Sequence, residues 1–337
     1  MNDDVRPEGG SFPLWDRNCF VWNQEEKTPR TNNQSGEGEK AMAEITASMV
    51  KELRNKTNAG MMECKKALTE ANGDIEQAEV ILRKRGIAVA AKRAGRAAKE
   101  GVVASVISSD GKIGSLVEVN CETDFVARNE TFTGFADQLA QWVTEDKALV
   151  QDGLRVIDEE ALKTPFGELS LGETITSLVT QTGENVVFQR AARFQSASGR
   201  VVSYIHMGAK VGVLVEMNAP AEVLAKPEFD NVSKDVTLQI AASAPPYLTR
   251  DEVPAQALEQ EREVYRSQMA GKPDNILDKI IEGKLRKFYS EVCLVDQPFV
   301  KEQEISIGKY LEQQGKALGG PIEIVRFVRF QVGQEND

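Results

Sequence analysis

The sequence predicts an α+β fold, in which a small N-terminal three-helix bundle precedes duplicated antiparallel α+β core subdomains with an inserted antiparallel helical hairpin. Three observations support this prediction. Three short helical patterns separated by turn signals come first, a strand-rich unit then occurs twice, and two longer amphipathic patterns flank a Gly-Pro turn within the second copy. A chain of 337 residues is long enough for two or three such domains.

Residues 1–41 differ in composition from the rest of the chain. They contain two of the three tryptophans, lack a clear periodicity and end in a polar segment, so we expect them to be disordered. They are too acidic for an organellar transit peptide and lack the apolar centre of a signal peptide. Because Gly36–Lys40 is encoded by purine-rich codons, as in a bacterial ribosome-binding site, we hypothesise that the native protein starts at Met42. Mass spectrometry of the native N-terminus tests this; a chain that begins near Met1 contradicts it.

Residues 42–86 are predicted to form the three-helix bundle. Thr46 can cap the first helix, because a threonine side chain at this position accepts a backbone N–H bond. The pattern breaks at Asn58–Gly60, and the second helix is predicted over Met61–Ala71, ended by Asn72-Gly73.

The third helix is predicted to start after Asp74 and to end near Gly86. Residues 87–100 then follow as an Ala-rich, basic helical linker. Its basic side chains are interpreted first as a solvated helical face. The alternative is attraction to an acidic partner surface.

A strand-rich unit occurs twice at an offset of 98 positions. Val103–Asn120 aligns with Val201–Asn218 without a gap, and nine aligned residues are identical. Shared apolar positions indicate a shared fold. Residues 101–198 are therefore predicted as the first core subdomain, and the second core subdomain begins at Gly199.

The second subdomain is interrupted by a charged, amphipathic stretch. Residues 249–288 contain two helical patterns joined by Gly271–Asp274, which predicts a projecting helical hairpin. The second subdomain then consists of residues 199–248 and 289–332, and residues 333–337 form a tail.

The residue inventory argues against an enzyme. A single histidine excludes schemes that need two, and no glycine-rich nucleotide-binding motif occurs. The net charge of -11 argues against direct binding of nucleic acid, and no run of about 18 apolar residues predicts a membrane span. The four cysteines are scattered, at Cys19, Cys64, Cys121 and Cys293. They indicate neither a disulfide framework nor a zinc site, which suits the reducing cytoplasm. We therefore expect a cytoplasmic binding protein without a cofactor.

The most unusual segment follows the second strand of the first copy. Thr123, Asp124, Phe125 and Val126 place an aromatic ring beside a carboxylate, whereas the alignment sets Val223 of the second copy opposite Phe125. Burial statistics alone favour a core position for the ring. Thr123 and Asp124 are capping residue types, however, and a helix that starts here would hold Phe125 in an exposed first turn. Drift of a surface loop and the gain of a binding task both stay open.

Two adjacent methionines mark a second candidate surface. Met61 and Met62 point about 100° apart on a helix, so both cannot lie on one narrow buried stripe. If Met61 shares that stripe, Met62 faces outward, where methionine favours adaptable contacts. With Arg54 and Lys65 nearby, this helix edge is a candidate partner-binding face.

The only histidine, His206, precedes Met207 and Gly208 at the turn that ends a strand of the second copy. Ser108 takes its place in the first copy, so the fold does not require an imidazole there. A lone histidine is more often a hydrogen-bonded surface residue than an acid–base catalyst. We interpret it as a surface position.

Several segments together resemble the translation elongation factor Ts family. They are Ala43–Arg54, Ala59–Leu68, Glu118–Val126, His206–Val213 and Phe327–Phe330. The likeness extends over about residues 42–332. It implies a guanine-nucleotide exchange factor that binds the GTPase elongation factor Tu and speeds the release of GDP, so that GTP can bind.

The resemblance also implies which residues contact that GTPase. The Thr123–Val126 segment would enter near the magnesium and phosphate site and displace the magnesium ion, with Phe125 wedged between partner side chains. The N-terminal bundle is similar to ubiquitin-associated domains. Its Arg54, Met61 and Met62 would touch a helix of the nucleotide domain, and the histidine region would meet a second partner domain.

A competing hypothesis belongs to another class of function. A small bundle and a helical hairpin would also suit a scaffold or a chaperone-like adaptor that binds other proteins. The hairpin is present here, although the shortest members of the resembling family lack it, and self-association through it stays open.

Overall fold

A computed structural model describes residues 45–57, 59–268 and 274–334, without the side chains of residues 207 and 274–278. The N-terminal extension and the hypothesised start at Met42 lie outside the described residues. Within the described residues the chain is an α+β protein with eleven α-helices and eleven strands, which confirms the predicted class. None of these helices combines the length and the apolar character needed to cross a bilayer.

The helices and strands alternate in short groups along the chain. The helices are α1 (Ala47–Thr57), α2 (Met61–Glu70), α3 (Ile75–Arg93), α4 (Asp124–Ala127), α5 (Glu130–Glu145), α6 (Leu171–Thr182), α7 (Ala221–Leu224), α8 (Pro227–Ser243), α9 (Ala255–Gln268), α10 (Asp274–Val292) and α11 (Ile307–Leu318). The strands are β1 (Glu100–Ile107), β2 (Ile113–Cys121), β3 (Gly153–Val156), β4 (Pro165–Phe166), β5 (Leu169–Ser170), β6 (Val186–Gln195), β7 (Arg200–Ile205), β8 (Val211–Asn218), β9 (Pro298–Phe299), β10 (Glu302–Ser306) and β11 (Glu323–Gln331).

Two antiparallel sheets carry the fold. The first has the strand order β1-β2-β6-β3 and the second the order β11-β8-β7, while β4-β5 and β9-β10 form two small hairpins. Helices α5 and α6 cover the outer face of the first sheet with an apolar core, and α8 and α11 do the same for the second. A third apolar cluster lies where the inner faces of the two sheets meet.

The duplication extends further than the sequence repeat predicts. Helix α6 begins after the N-cap Ser170 and ends at the left-handed Gly183, and α11 begins after Ser306 and ends at Gly319, so both pairs are 136 residues apart. The order β1-β2-α4-α5-β4-β5-α6-β6 therefore recurs as β7-β8-α7-α8-β9-β10-α11-β11. In the second copy, α9 and α10 occupy the place of β3 and its loops. This insertion changes the offset, which is why a single shift of 98 positions detects only the first part.

The two copies pack on each other through equivalent residues, which relates them by an approximate two-fold axis. Ser105 and Ser203 are equivalent in the repeat, and Ser105 Oγ donates to Ser203 Oγ at 3.0 Å. Gly212 shows how closely the sheets approach. A Cβ there would lie 2.5 Å from Val103 Cγ1 and 2.9 Å from Leu116 Cδ1, so only glycine fits.

An ion pair with a stacked ring also occurs once in each copy. Arg190 Nε donates to Glu118 Oε2 at 2.7 Å, and the guanidinium lies 4.4 Å from the centre of the Phe330 ring. Its equivalent in the second copy is the pair of Arg326 and Glu216, also at 2.7 Å. Arg326 in turn stacks on a ring of the first copy, Phe194, at 4.3 Å. The first pair is buried, whereas the Arg326 side chain is 32% exposed.

The N-terminal helices α1, α2 and α3 share a small apolar core. Thr46 caps α1, since its Oγ1 accepts from Met49 N at 3.3 Å, and Asp74 caps α3 in the same way at 3.0 Å from Gln77 N. Both predicted caps are confirmed. The domain limits drawn from the sequence stay predictions.

The predicted end of the third helix near Gly86 is wrong. Helix α3 continues to Arg93, and residues 94–99 are not helical, so the predicted helical linker 87–100 is helical only in its first half. A glycine inside a helix costs only about 1 kcal/mol relative to alanine, which a tertiary contact can offset. Here a Cβ on Gly86 would lie 2.9 Å from Thr180 Oγ1, so the glycine allows α3 to pack closely on α6.

Helices α9 and α10 contact each other, and Lys284 Nζ lies 5.7 Å from the centre of the Tyr265 ring. Residues 269–273, which join the two helices, lie outside the described residues. The antiparallel hairpin therefore stays a prediction.

Candidate functional site

The Thr123–Val126 segment forms the start of a one-turn helix directly after a buried strand. Strand β2 ends at Cys121, and α4 begins at Asp124 with Thr123 as its N-cap. The Thr123 Oγ1 atom accepts from Val126 N at 3.4 Å, which satisfies one of the free amides of the first turn. The capping role predicted for Thr123 is confirmed.

Phe125 is 83% exposed, so the core position that burial statistics favour is wrong. A one-turn helix has a single buried side, and here Ala127 and Val126 occupy it by packing on the core of the first copy. Phe125 therefore projects away from that core. Beside it, Asp124 Oδ2 lies 3.0 Å from Arg128 at the next turn, and both side chains are exposed.

The alignment at a constant offset of 98 pairs Phe125 with Val223, but the structure shows that these two residues are not equivalent. Buried residues of α5 and α8 are 97 positions apart, for example Phe132 and Phe229, which are both fully buried. Helices α4 and α7 likewise start at Asp124 and Ala221. Counted from equivalent residues of β2 and β8, the second copy is one residue shorter than the first before this helix. The true equivalent of Phe125 is the exposed Glu222, so neither copy requires a ring at this position for its core.

Glu184 connects this segment to the end of α6. Its Oε2 atom accepts from the backbone N–H groups of Glu122 at 3.1 Å and Thr123 at 3.0 Å. Its Oε1 atom accepts from Thr123 Oγ1 at 2.6 Å. One carboxylate thereby holds the two residues that precede α4.

Glu122 makes the reciprocal connection. Its Oε1 atom accepts from Asn185 N at 2.7 Å, and the Arg93 and Arg96 guanidinium groups lie 3.4 and 3.3 Å from its two oxygens. The Asn185 N–H bond, followed by the contacts with Arg96 and Arg93, lowers the pKa of Glu122. The carboxylate is therefore ionised at neutral pH. Arg93 is the last residue of α3 and Arg96 lies three residues beyond it, so this contact joins the N-terminal helices to the segment.

Cys121 is a structural residue of the same turn. Its Sγ atom donates to Thr123 O at 3.2 Å, and burial raises the pKa of the thiol to about 12. The thiolate, which is the nucleophilic form, is therefore absent at neutral pH.

The His206 turn lies at the same end of the first sheet as α4. His206 is exposed, with Nδ1 3.0 Å from Tyr204 Oη, and the chain then turns through Gly208 in a left-handed conformation. The adjacent Lys210 Nζ lies 2.6 Å from Glu100 Oε2, and Glu100 is paired with the last residue of β2. The structure thus brings two of the predicted site regions together. The Met207 side chain lies outside the described residues.

Met61 and Met62 are both exposed, by 58% and 66%. Met61 does not share the buried stripe of its helix, because this stripe begins only at Cys64, one turn further on. Arg54 and Lys65 are exposed as well. All four residues are therefore available for contact with a partner, and α3, which packs on α2, connects their bundle to the Phe125 turn.

Sequence reasoning missed the residues that hold the Phe125 turn. Glu184 and Asn185 follow a helix end and look like ordinary turn residues, and they act on a segment about 60 positions away. Arg93 and Arg96 were identified only as part of a basic stretch. A single sequence carries no signal for such long-range pairing.

Comparison with known proteins bears on the whole described core. The family model described as Elongation factor TS matches residues 122–334. A curated relative named Elongation factor Ts from Clostridium perfringens strain 13 is 46% identical over 292 residues, which cover 86% of this chain and 93% of the relative. Proteins of the same name from Clostridium botulinum strain Alaska E43 and Clostridium acetobutylicum are 44% and 42% identical, with the same shares covered.

Proposed function

The chain belongs to the elongation factor Ts family, and from this membership we propose that it is the guanine-nucleotide exchange factor of elongation factor Tu, acting in the cytoplasm. In this proposal it binds elongation factor Tu with bound GDP, displaces the magnesium ion and promotes release of GDP. It changes an equilibrium and a dissociation rate, and it does not catalyse a covalent reaction.

The observation that carries the proposal is the exposure of Phe125 on a fixed turn. The Phe125 ring is 83% exposed, so it makes few contacts within its own protein. A partner that covers the ring would bury this apolar surface. Aromatic residues are also among those that contribute most to protein–protein affinity. With Asp124 beside it, the ring forms a wedge with a charged edge. A wedge of this kind suits insertion near a magnesium site.

Exchange requires that the factor prefer one state of its partner. A ligand with equal affinity for two states shifts neither, so the factor must bind the nucleotide-free GTPase more tightly than the loaded one. The coupling is reciprocal, and nucleotide therefore weakens the factor's binding to the same extent. Displacement of magnesium by the Thr123–Val126 segment would supply this difference.

The remaining predicted site residues are proposed as further contacts with elongation factor Tu. We place the edge formed by Arg54, Met61, Met62 and Lys65 against its nucleotide domain. The His206–Gly208 turn would contact a second domain. The similarity of the N-terminal helices to a ubiquitin-associated domain, and self-association through α9 and α10, are likewise proposals.

Release of fluorescently labelled GDP from purified elongation factor Tu tests the proposed function. Catalytic amounts of this protein are expected to accelerate the release many-fold in the presence of excess unlabelled GDP. An unchanged rate would reject the exchange function. If the protein still bound elongation factor Tu without acceleration, the scaffold or adaptor alternative would gain support.

We predict that replacing both Met61 and Met62 by alanine raises the concentration needed for half-maximal exchange about tenfold. The two exposed side chains together lose apolar contact area, and a tenfold change corresponds to about 1.4 kcal/mol. The maximal rate is expected to stay the same, because the magnesium-directed turn is intact. The measurement is the dependence of the GDP-release rate on factor concentration. The control is Val80→Ala, which truncates an exposed apolar side chain on the neighbouring helix α3. It should leave the half-maximal concentration and the maximal rate unchanged.

A further inference from the structure

We propose that Glu184 is a positioning residue, which fixes the orientation in which the Phe125 turn meets a partner. Its effect on nucleotide exchange rests on the proposed function. The positioning itself is a property of the free protein and can be measured without any partner.

The bonds made by Glu184 end at the base of α4. The carboxylate accepts from two backbone N–H groups and from Thr123 Oγ1, at 2.6 to 3.1 Å. Thr123 Oγ1 then accepts from Val126 N at 3.4 Å. A continuous series of hydrogen bonds therefore runs from Glu184 into the helical turn that carries Phe125.

The backbone on both sides of Glu184 is held in regular structure. Gly183 ends α6 in a left-handed conformation, with its N–H bonded to Val179 O. Val186 begins β6 and is paired with Cys121 of β2. Glu184 therefore lies between a helix end and a strand start that both belong to the core.

The second copy shows that the scaffold does not need this carboxylate. The equivalent of Glu184 is Gly320, 136 positions further on, and a Cβ there would lie 2.7 Å from Pro220 Cγ and 3.1 Å from Val223 Cγ2. In that copy the turn packs directly against α7, and no side chain fits between them. The hydrogen-bonded support is thus found in the copy that also carries the exposed ring.

A fixed turn has a consequence for binding. An exposed segment that is ordered only in the complex loses conformational entropy on association, which lowers affinity. Glu184 orders the turn in advance, so that Asp124 and Phe125 are presented together. Removing its acceptors should leave Phe125 exposed but free to adopt other orientations.

The test compares Glu184→Ala with the conservative Glu184→Gln. Alanine removes every acceptor, and we expect the maximal rate of stimulated GDP release to fall about tenfold. Glutamine keeps one oxygen for the two backbone N–H groups and an N–H donor for Thr123 Oγ1. We therefore expect Glu184→Gln to retain most of the wild-type rate. Equal losses in the two variants would overturn the proposal, because they would show that the negative charge itself is required.

Hydrogen–deuterium exchange of the free protein provides the readout that is independent of any partner. In Glu184→Ala the amides of Glu122 and Thr123 are expected to exchange at least tenfold faster, with Glu184→Gln close to wild type. Unchanged protection of these amides would overturn the proposal, as would faster amide exchange without any loss of GDP release. If the wild-type protein itself failed to stimulate GDP release, the proposed function would fall while the amide data still decided the positioning.

Glu173→Ala is the matched control for loss of stability. Glu173 also bonds a backbone N–H, that of Ser170, at 3.0 Å, and it caps the opposite end of the same helix. It does not belong to the Phe125 turn. This variant is expected to lower the melting temperature at least as much as Glu184→Ala, and to leave the rate of GDP release and the protection of Glu122 and Thr123 unchanged. A loss of GDP release equal to that of Glu184→Ala would indicate a merely structural effect and would overturn the proposal.

Discussion

Phe125→Ala is expected to slow stimulated GDP release by about 30-fold or more while the melting temperature stays within about one degree of wild type. Truncation of an aromatic residue at the centre of an interface commonly costs about 2–4 kcal/mol, and each 1.4 kcal/mol is a factor of ten. Stability should not change, because the ring is 83% exposed and contributes little to the core. The two measurements are the GDP-release rate and thermal unfolding of the free protein.

The control for Phe125→Ala is Leu154→Ala. Leu154 is an exposed apolar side chain on the edge strand β3, outside the proposed contact regions. Its truncation is expected to leave GDP release unchanged. A fall of several degrees in the melting temperature of Phe125→Ala would show that the ring supports the fold. Unimpaired exchange would remove it from the proposed contact.

Arg190→Met is expected to lower the free energy of unfolding by about 3–5 kcal/mol, because it leaves the Glu118 carboxylate buried without its cation. Both side chains are less than a tenth exposed, and the donors that Glu118 keeps among the described residues, Asn120 Nδ2 and Gly333 N, are neutral. The measurement is equilibrium unfolding in urea. A loss below about 1 kcal/mol would show that water reaches the pair.

The second copy supplies the matched comparison. Arg326→Met breaks the equivalent pair with Glu216 and a second pair with Asp152, but the Arg326 side chain is 32% exposed, against 7% for Arg190. Partly exposed ion pairs contribute little, so a loss of about 1 kcal/mol is expected. Arg190→Met combined with Glu118→Leu should recover part of the stability, since an apolar pair removes the uncompensated charge. Equal losses for the two arginines would contradict the role given to burial.

Local patterns predicted the elements whose causes lie within a few residues. Thr46 and Asp74 were identified as helix caps because a cap depends on the next three residues, and both make the expected bonds. The strand repeat was visible because the same apolar positions recur. Prediction failed at Gly86, where the glycine does not end the helix but allows its close contact with α6, nearly a hundred positions away.

The candidate site was predicted only in part. The composition of the Thr123–Val126 segment indicated an exposed turn, and the structure agrees. The equivalence with Val223 was wrong, because one residue is missing from the second copy and a comparison without gaps cannot place it. Glu184 could not be found, because its partners are distant in sequence and become neighbours only after β2 and β6 pair.

The approximate two-fold axis through Ser105 and Ser203 means that the contact between the sheets is isologous, yet both surfaces belong to one chain. In a homodimer such a contact forms in a second-order step and weakens on dilution. Here the connecting chain sets an effective concentration that dilution does not change. The inner faces of the sheets therefore stay covered at any protein concentration.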